Sequence, residues 1–456
     1  MANSTFFIKT AWLSSRPEAV LSLHAYGRFF CSSFPTHQRG SFSNSRNITR
    51  FLTHCYNTNK SPAIELDPNS AADQHDVETS LASTCSQGLV FDLGPNTSWD
   101  SAEIGSPVVK RYMGDNEERW YMWYHGRDGN SSSDSIGLAV SSNGIHWALG
   151  RLRYVSSCED AGVVIKCREN WWAFDRESIR PSEMVVMSSP MYSAVYWLYY
   201  SGYSSEQVEI TGGEKICIEN PERNHLEDIK NENHTFGKIY KSLPGLACSQ
   251  DSRYWARIEG DHHSGALFDV GSGNEWDSLF IAGPHVVVHS NDDLRMYYHS
   301  FDVRKGELAI GMARSRDGIR WIKLGKIMGG GSNGCFDELG VKNACVRKDQ
   351  LIKGNYLMAY EGVGPDGKRS IGLAVSPDGL KNWKRIQEEA ALEASEEDGW
   401  DNKGVGSPCL VRMEDNLDEW RLYYVGIGQG GRTGIGMAVS QGSHINNFTR
   451  WSGFHL

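Results

Sequence analysis

An aromatic residue followed by aspartate returns five times along this chain, as Trp99-Asp100, Phe174-Asp175, Trp276-Asp277, Phe336-Asp337 and Trp400-Asp401. A short apolar run follows each pair, then an aromatic-rich run. In four of the five units a glycine-and-alanine run and a turn ending in an aromatic come next. The third unit reads IAGPHVVV, LRMYYHS and IGMARSRDGIRW between Ile281 and Trp321. The second departs most, with IRPSEMVV and VYWLYYSG separated by a long interruption from GLACSQDSRYW, Gly245 to Trp255. Runs this short, rich in β-branched and aromatic residues and bounded by Gly, Asp and Asn, read as strands. Nothing between Trp99 and Trp451 reads as a long helix. Long units that each hold several short strands are the mark of radial repetition. The pattern predicts an all-β chain, a five-bladed β-propeller.

Closure is written in the same way. Gly88-Leu-Val-Phe-Asp-Leu-Gly94 precedes Trp99-Asp100, and its twin Gly265-Ala-Leu-Phe-Asp-Val-Gly271 precedes Trp276-Asp277 at the same spacing. The second copy ends one blade and leads into the next, so the first copy should add a strand to blade five. That strand closure between the N- and C-terminal parts would leave fewer open edges. The propeller is expected over residues 88–456, with a blade-two insertion over residues 204–235. That insertion holds eight acids against Lys215, Arg223 and Lys230, and is placed to lid the channel or dock a protein partner.

The first 60 residues have a different character. Lys9, Arg16, Arg28, Arg39, Arg46 and Arg50 stand against the single acid Glu18, so residues 1–50 carry +5 of a chain total of −10. A basic, Ser-rich, acid-poor leader is the composition of an organelle transit peptide. Residues 1–60 are therefore expected to be a disordered leader directing import to the chloroplast, with the mitochondrion as the alternative, and residues 61–87 a linker. The remainder is acidic, with no basic stripe interleaved with aromatics, which argues against nucleic acid. No run of 18 apolar residues occurs, so no membrane span is expected. The ten cysteines show no CxxC spacing and no metal-type clustering with histidine, and reduced thiols are expected, with Cys158 and Cys167 close enough in sequence to pair under oxidation. No cofactor and no metal are called for.

The repeated aspartates are rejected as catalysts, because a residue present in every unit answers a need present in every unit. An Asp at the entry to a strand can hydrogen-bond its own backbone two residues on and pin the turn. The Asp317-Gly318 and Asp378-Gly379 pairs read as hairpin turns. Function is sought where the units differ. Aligned on the repeated Asp, the innermost strands carry Arg180 and Glu183, His285, and Lys342 with Asn343. On the second strand the residue after the aromatic pair is His125, Ser201, His299, Glu361 or Val425. Ionisable groups on innermost strands must face channel water or pair with one another, which is the composition of a polar small-ligand pocket. Arg180 and Glu183, three apart on one strand, could also simply pair.

As a set, the motifs W/F-D-x4-G-x-P-x-V, W-x-x-Y-Y-x-G and I-G-x-A-x-S-x-D-G-x-x-W resemble the five-bladed propellers of the arabinanase, levansucrase and invertase superfamily, closest to the glycoside hydrolase family 43-like group. That resemblance implies two carboxyl groups across a scissile glycosidic bond, one a general acid and one a base or nucleophile. It also implies an Asp before a Pro on the innermost strand of blade one. Here that slot holds Ser106 before Pro107, and in the other blades Pro181, Gly283, Asn343 and Ser407. The reading is a glycosidase-like protein acting on a plant oligosaccharide or glycoconjugate, with Glu183 and Glu361 as its catalytic carboxylates. Arg180, His285, Lys342, Asn343, His125 and His299 are the ligand-binding candidates. The alternative is a catalytically silent propeller that binds a carbohydrate or small anionic ligand, or serves as an organelle scaffold.

Overall fold

The computed structural model describes residues 87–113, 117–131, 133–150, 161–189, 192–209, 238–348, 356–413, 419–440 and 445–453. Strands account for the regular structure, and they come as successive antiparallel meanders. The first meander is β2 (Glu103–Met113), β3 (Glu118–Arg127), β4 (Ser135–Ser141) and β5 (Ala148–Leu149), with β6 (Val163–Ile165) also on β4; β1 (Leu89–Phe91) precedes it. The second is β7 (Ser178–Ser189), β8 (Tyr192–Glu209), β9 (Lys238–Ser249) and β10 (Ala256–Ile258). Next come β11 (Ala282–Ser290), β12 (Asp293–Asp302), β13 (Glu307–Ser315) and β14 (Ile322–Met328). A fourth holds β15 (Gly340–Lys348), β16 (Tyr356–Val363), β17 (Arg369–Ser376) and β18 (Lys384–Arg385). The last holds β19 (Gly404–Arg412), β20 (Trp420–Ile427), β21 (Thr433–Ser440) and β22 (Thr449–Arg450). As the twin motif predicts, β1 pairs with β21, Leu89 opposite Gly436.

The repeated Asp is structural, but by a different bond from the one expected. Its carboxylate accepts from a tyrosine on the same meander's second strand: Tyr124 to Asp100 at 2.8 Å, Tyr200 to Asp175 at 3.0 Å, Tyr298 to Asp277 at 2.9 Å, Tyr360 to Asp337 at 3.0 Å and Tyr424 to Asp401 at 3.0 Å. A cation from the outermost strand adds charge in four of these: Arg257 at 2.6 Å, Lys323 at 3.0 Å, Arg385 at 2.7 Å and Arg450 at 2.9 Å. All five aspartates are buried. Their main-chain carbonyls are engaged too, as when Gly271 N donates to Asp277 O at 3.0 Å. The aromatic that precedes each Asp lies over the same tyrosine, with ring centroids 5.3 Å apart for Trp99 and Tyr124 and 6.0 Å for Trp400 and Tyr424. It also explains the motif glycines: a Cβ on Gly137 would meet the Trp99 ring at 2.4 Å, and one on Gly372 would meet Phe336 at 2.5 Å.

In three meanders the first tyrosine of the aromatic pair reaches the neighbouring meander. Tyr199 donates to Gly318 O at 3.1 Å, Tyr297 to Gly379 O at 2.6 Å, and Tyr423 of the last meander to Gly144 O of the first at 2.8 Å. Two of the accepting turns, at Gly318 and Gly379, are the hairpins read from sequence. Asp317 Oδ1 accepts from Ile319 N and Arg320 N at 2.9 and 2.8 Å, and Gly318 takes a φ of 76°. In the second meander the hairpin is longer than the insertion boundary suggested: β8 runs on to Glu209 and pairs with β9 through Gln207 opposite Tyr240. Residues 210–237, most of that insertion, lie outside the described residues, as do the leader and residues 61–86.

Two substitutions test the repeated bond. Tyr360→Phe removes only the hydroxyl that donates to Asp337 and should lower unfolding free energy by about 1.5–3 kcal/mol, the range for a hydrogen bond to a charged group. Asp337→Ala leaves Tyr360 and Arg385 without their acceptor and should cost more. Urea titration followed by fluorescence measures both, and a Tyr360→Phe variant as stable as its parent would contradict this account.

Candidate functional site

Each meander's first strand is interrupted at the same place. The register shifts between Gly105 and Val108, Pro181 and Glu183, Ala282 and His285, Lys342 and Cys345, and Gly406 and Cys409. The bulged residues are the slots aligned in the sequence: Ser106, Gly283, Asn343 and Ser407 take φ values of 48°, 61°, 50° and 46°, with Pro181 at the remaining one. A bulge re-aims side chains and frees main-chain groups, and here all five open onto one cavity. Its walls include Arg180, Tyr203, His299, Lys342 and Asn343, and its floor holds Glu183 and His285. The structure thus brings six of the eight candidates to one cavity. His125 and Glu361 sit behind its wall: a Cβ on Gly105 would meet the His125 ring at 2.6 Å, and one on Gly406 would meet the Glu361 carboxylate at 2.4 Å.

The carboxylates are held by cations rather than left open. Glu183 receives His285 Nδ1 at 2.9 Å, Arg347 Nη1 at 2.9 Å, its neighbour's main chain at Met184 N at 3.0 Å, and the Lys110 ammonium. Burial alone would raise its pKa, but Lys110, Arg347 and His285 outweigh that and hold it well below the usual carboxylate range. Glu361 is fully buried, with Lys342 Nζ at 3.0 Å, Asn343 Nδ2 at 2.9 Å, Ser407 N at 2.9 Å and Arg369 Nη1 at 3.6 Å. Arg180 does not pair with Glu183. It reaches instead into the first meander, to Asp134 at 2.6 Å and Glu103 at 3.3 Å, where Glu103 also meets Arg127 and, at 3.4 Å, His125.

Sequence reasoning missed Asp134 and Glu103 because their partner lies 46 and 77 residues away. A signal was present: three positions before the motif glycine of the third strand, the units hold Asp134, Ser242, Leu308, Arg369 and Thr433, which differ as freely as the two rows that were compared. Residues of this row reach the next meander, as Ser242 Oγ does in donating to Ile281 O at 3.0 Å. Lys110 and Arg347, four places past the bulge slots, were also missed.

His299 shows what burial does here. Burial and the nearby Lys342 lower its pKa from 6.5 to about 3, and its neutral ring accepts from Asn343 N at Nδ1, 3.3 Å. His125 is lowered in the same direction by burial and Arg180. No group of three or more His, Cys, Asp or Glu able to hold a metal ion occurs among the described residues. The same residues contain no helix long and apolar enough to cross a membrane. Of the described cysteines, 167, 248, 335, 345 and 409 are free thiols; Cys158 lies outside the described residues, and Cys167 Sγ donates to Asp134 O at 3.4 Å.

Comparison with known proteins places the fold. No family model matches the chain. Over 208 residues it is 29% identical to an uncharacterized protein of Mycobacterium tuberculosis (strain ATCC 25618 / H37Rv), a match covering 44% of this chain and 62% of that one. The chain thus spans about three-fifths of the length of the curated relatives it matches. A solved glycoside hydrolase superposes at a TM-score of 0.53 with 16% identity, over 78% of this chain and 91% of that one. An N-acetylgalactosamine deacetylase from F. plautii, in complex with blood group B trisaccharide, superposes at 0.51 with 12% identity, over 79% and 96%. The fold is that of glycoside-hydrolase propellers, as the motif resemblance implied.

The histidines give a pH test with a defined sign. Between pH 6.5 and 3 an unfolded chain binds a proton at His299 that the fold refuses, so this contribution is complete above pH 6.5 and is lost as pH falls toward 3. Glu183, with an ordinary value of 4.5, adds to that slope only at its acid end. Urea midpoints measured from pH 6.5 to 4.5 should therefore decline, and His299→Gln should flatten the decline. An unchanged slope would mean that the folded protein carries a protonated His299.

Proposed function

We propose that the protein is a propeller of glycoside-hydrolase fold that binds a carbohydrate carrying an anionic group, a uronate or a sugar phosphate, at the five bulges. In this reading the five meanders are the blades of a closed ring, sealed where β1 joins the last of them. The Tyr423–Gly144 bond supports closure, since it repeats across the last junction the bonds Tyr199 and Tyr297 make at earlier ones.

One observation carries the functional reading: every bulge slot lacks a carboxylate, and Glu183 and Glu361 are each enclosed by several donors. A general acid must hold a proton it can give, and a base or nucleophile needs an oxygen turned to the substrate. Glu183 is held ionised by its cations, and Glu361 lies behind Gly406. Beside Glu183, the residues lining the cavity include Arg180, Lys342, Asn343, Ser106, Ser182 and Ser407, a donor-rich set that complements an acidic sugar. The two glutamates then act by positioning: Glu361 fixes Lys342 and Asn343, and Glu183 fixes His285.

Thermal unfolding of the full chain with neutral sugars, uronates and sugar phosphates is the test, beside turnover assays on aryl glycosides and plant oligosaccharides. Saturable stabilisation by an acidic sugar and not by its neutral parent, without turnover, is expected. Turnover that is lost in Glu361→Gln or Glu183→Gln would overturn the binding reading and establish a glycosidase. We further propose that residues 1–60 direct import into the chloroplast. A fluorescent protein fused behind them should appear in plastids; mitochondrial or cytosolic fluorescence would refute that.

A further inference from the structure

Two residues past each bulge, the innermost strands present Val108, Glu183, His285, Cys345 and Cys409 to the cavity floor. The last two are thiols on successive innermost strands, β15 and β19, and both line the cavity. Each sulfur also accepts a main-chain N–H at 3.3 Å, Cys345 from Leu410 and Cys409 from Val109, and Arg347 Nη2 stands 4.0 Å from Cys409. Donors gathered on sulfur serve no packing need. They stabilise negative charge there, which is what an attacking thiolate requires.

We propose that Cys345 and Cys409 form a reversible disulfide across the cavity floor when the protein meets a hydroperoxide. The Cys345 thiolate attacks the peroxide oxygen, the O–O bond breaks, and the departing oxygen takes the thiol's proton and leaves as water or an alcohol. Cys345 is then a sulfenic acid. Cys409 sulfur attacks it, the S–O bond breaks, and water leaves with the Cys409 proton. Two electrons pass from the two sulfurs to the peroxide, and a dithiol returns them.

The order of attack follows from the surroundings. Burial would raise Cys345, but the neighbouring Cys409, Arg347 and His285 outweigh it and bring it well below the ordinary thiol value. Cys409, whose thiol donates to Val109 O at 3.9 Å, is raised by the neighbouring Cys345 and by burial. Burial raises Cys167 and Cys248, which leaves those two as poorer nucleophiles. The bulge residues Asn343 and Ser407, each two places before a thiol, share a 3.3 Å hydrogen bond, so the cross-link would fix this wall of the cavity.

The test treats the reduced full chain with hydrogen peroxide, blocks free thiols with iodoacetamide and maps the peptides. A Cys345–Cys409 cross-linked peptide is expected, with both thiols lost from alkylation together and restored together by dithiothreitol. In Cys409→Ser, Cys345 should instead trap a sulfenic-acid reagent such as dimedone. The mapping on the unmutated chain stands even if that variant fails to fold, and it does not depend on which sugar is bound. Both thiols still alkylated after peroxide, or oxidised separately without a cross-link, would overturn the proposal.

Discussion

A tyrosine hydroxyl donated to a buried aspartate, repeated in each meander, is the bond on which the rest of this structure depends. A carboxylate stripped of water is costly unless its lone pairs are satisfied. Here one oxygen takes the tyrosine, and in four meanders an outer-strand cation as well. The bond ties the chain's entry into a meander to the meander's second strand and, through the cation, to its fourth. The aromatic before the aspartate then packs on that same tyrosine, and small residues must stand wherever its ring passes. Three sequence motifs that look independent are therefore one contact seen from three strands.

The middle of the molecule obeys the same rule with different residues. Its ions are assembled across meanders, Arg180 with Asp134, Glu183 with Lys110 and Arg347, and Glu361 with Lys342 and Arg369 within its own. Each such pair compensates the desolvation of both members and fixes a wall of the cavity between them. Carboxylates used in this way are poor sources of protons, which is the ground for the binding role proposed for this cavity.

Much of this was legible in the sequence. The strands, the turns and the β1–β21 pairing follow from local patterns: short runs rich in β-branched and aromatic residues, Asp-Gly turns and a motif that occurs twice. The bulge slots emerged by counting from the repeated Asp, because the same frame places them in every meander. Partner choice was not legible. Arg180 has an acid three residues away in Glu183, and nothing local says that its guanidinium turns instead to the preceding meander. The role of the repeated Asp was read correctly as structural, yet its bond was assigned to the local backbone, since the tyrosine that uses it lies 21 to 25 residues further on.

The bulges have a consequence for how such a protein changes over time. At four of the five the main chain itself makes the turn into the cavity, with Ser106, Gly283, Asn343 and Ser407 all in the left-handed region despite their different side chains; Pro181 stands at the fifth. The frame therefore asks little of the residue at the slot beyond tolerance of that conformation. A lineage can exchange what the slot offers a ligand while the aspartates, tyrosines and glycines outside it stay as they are. Chemistry and architecture are written in separate columns of the repeat, and the first can drift, lose a catalytic group or gain a new specificity without eroding the second.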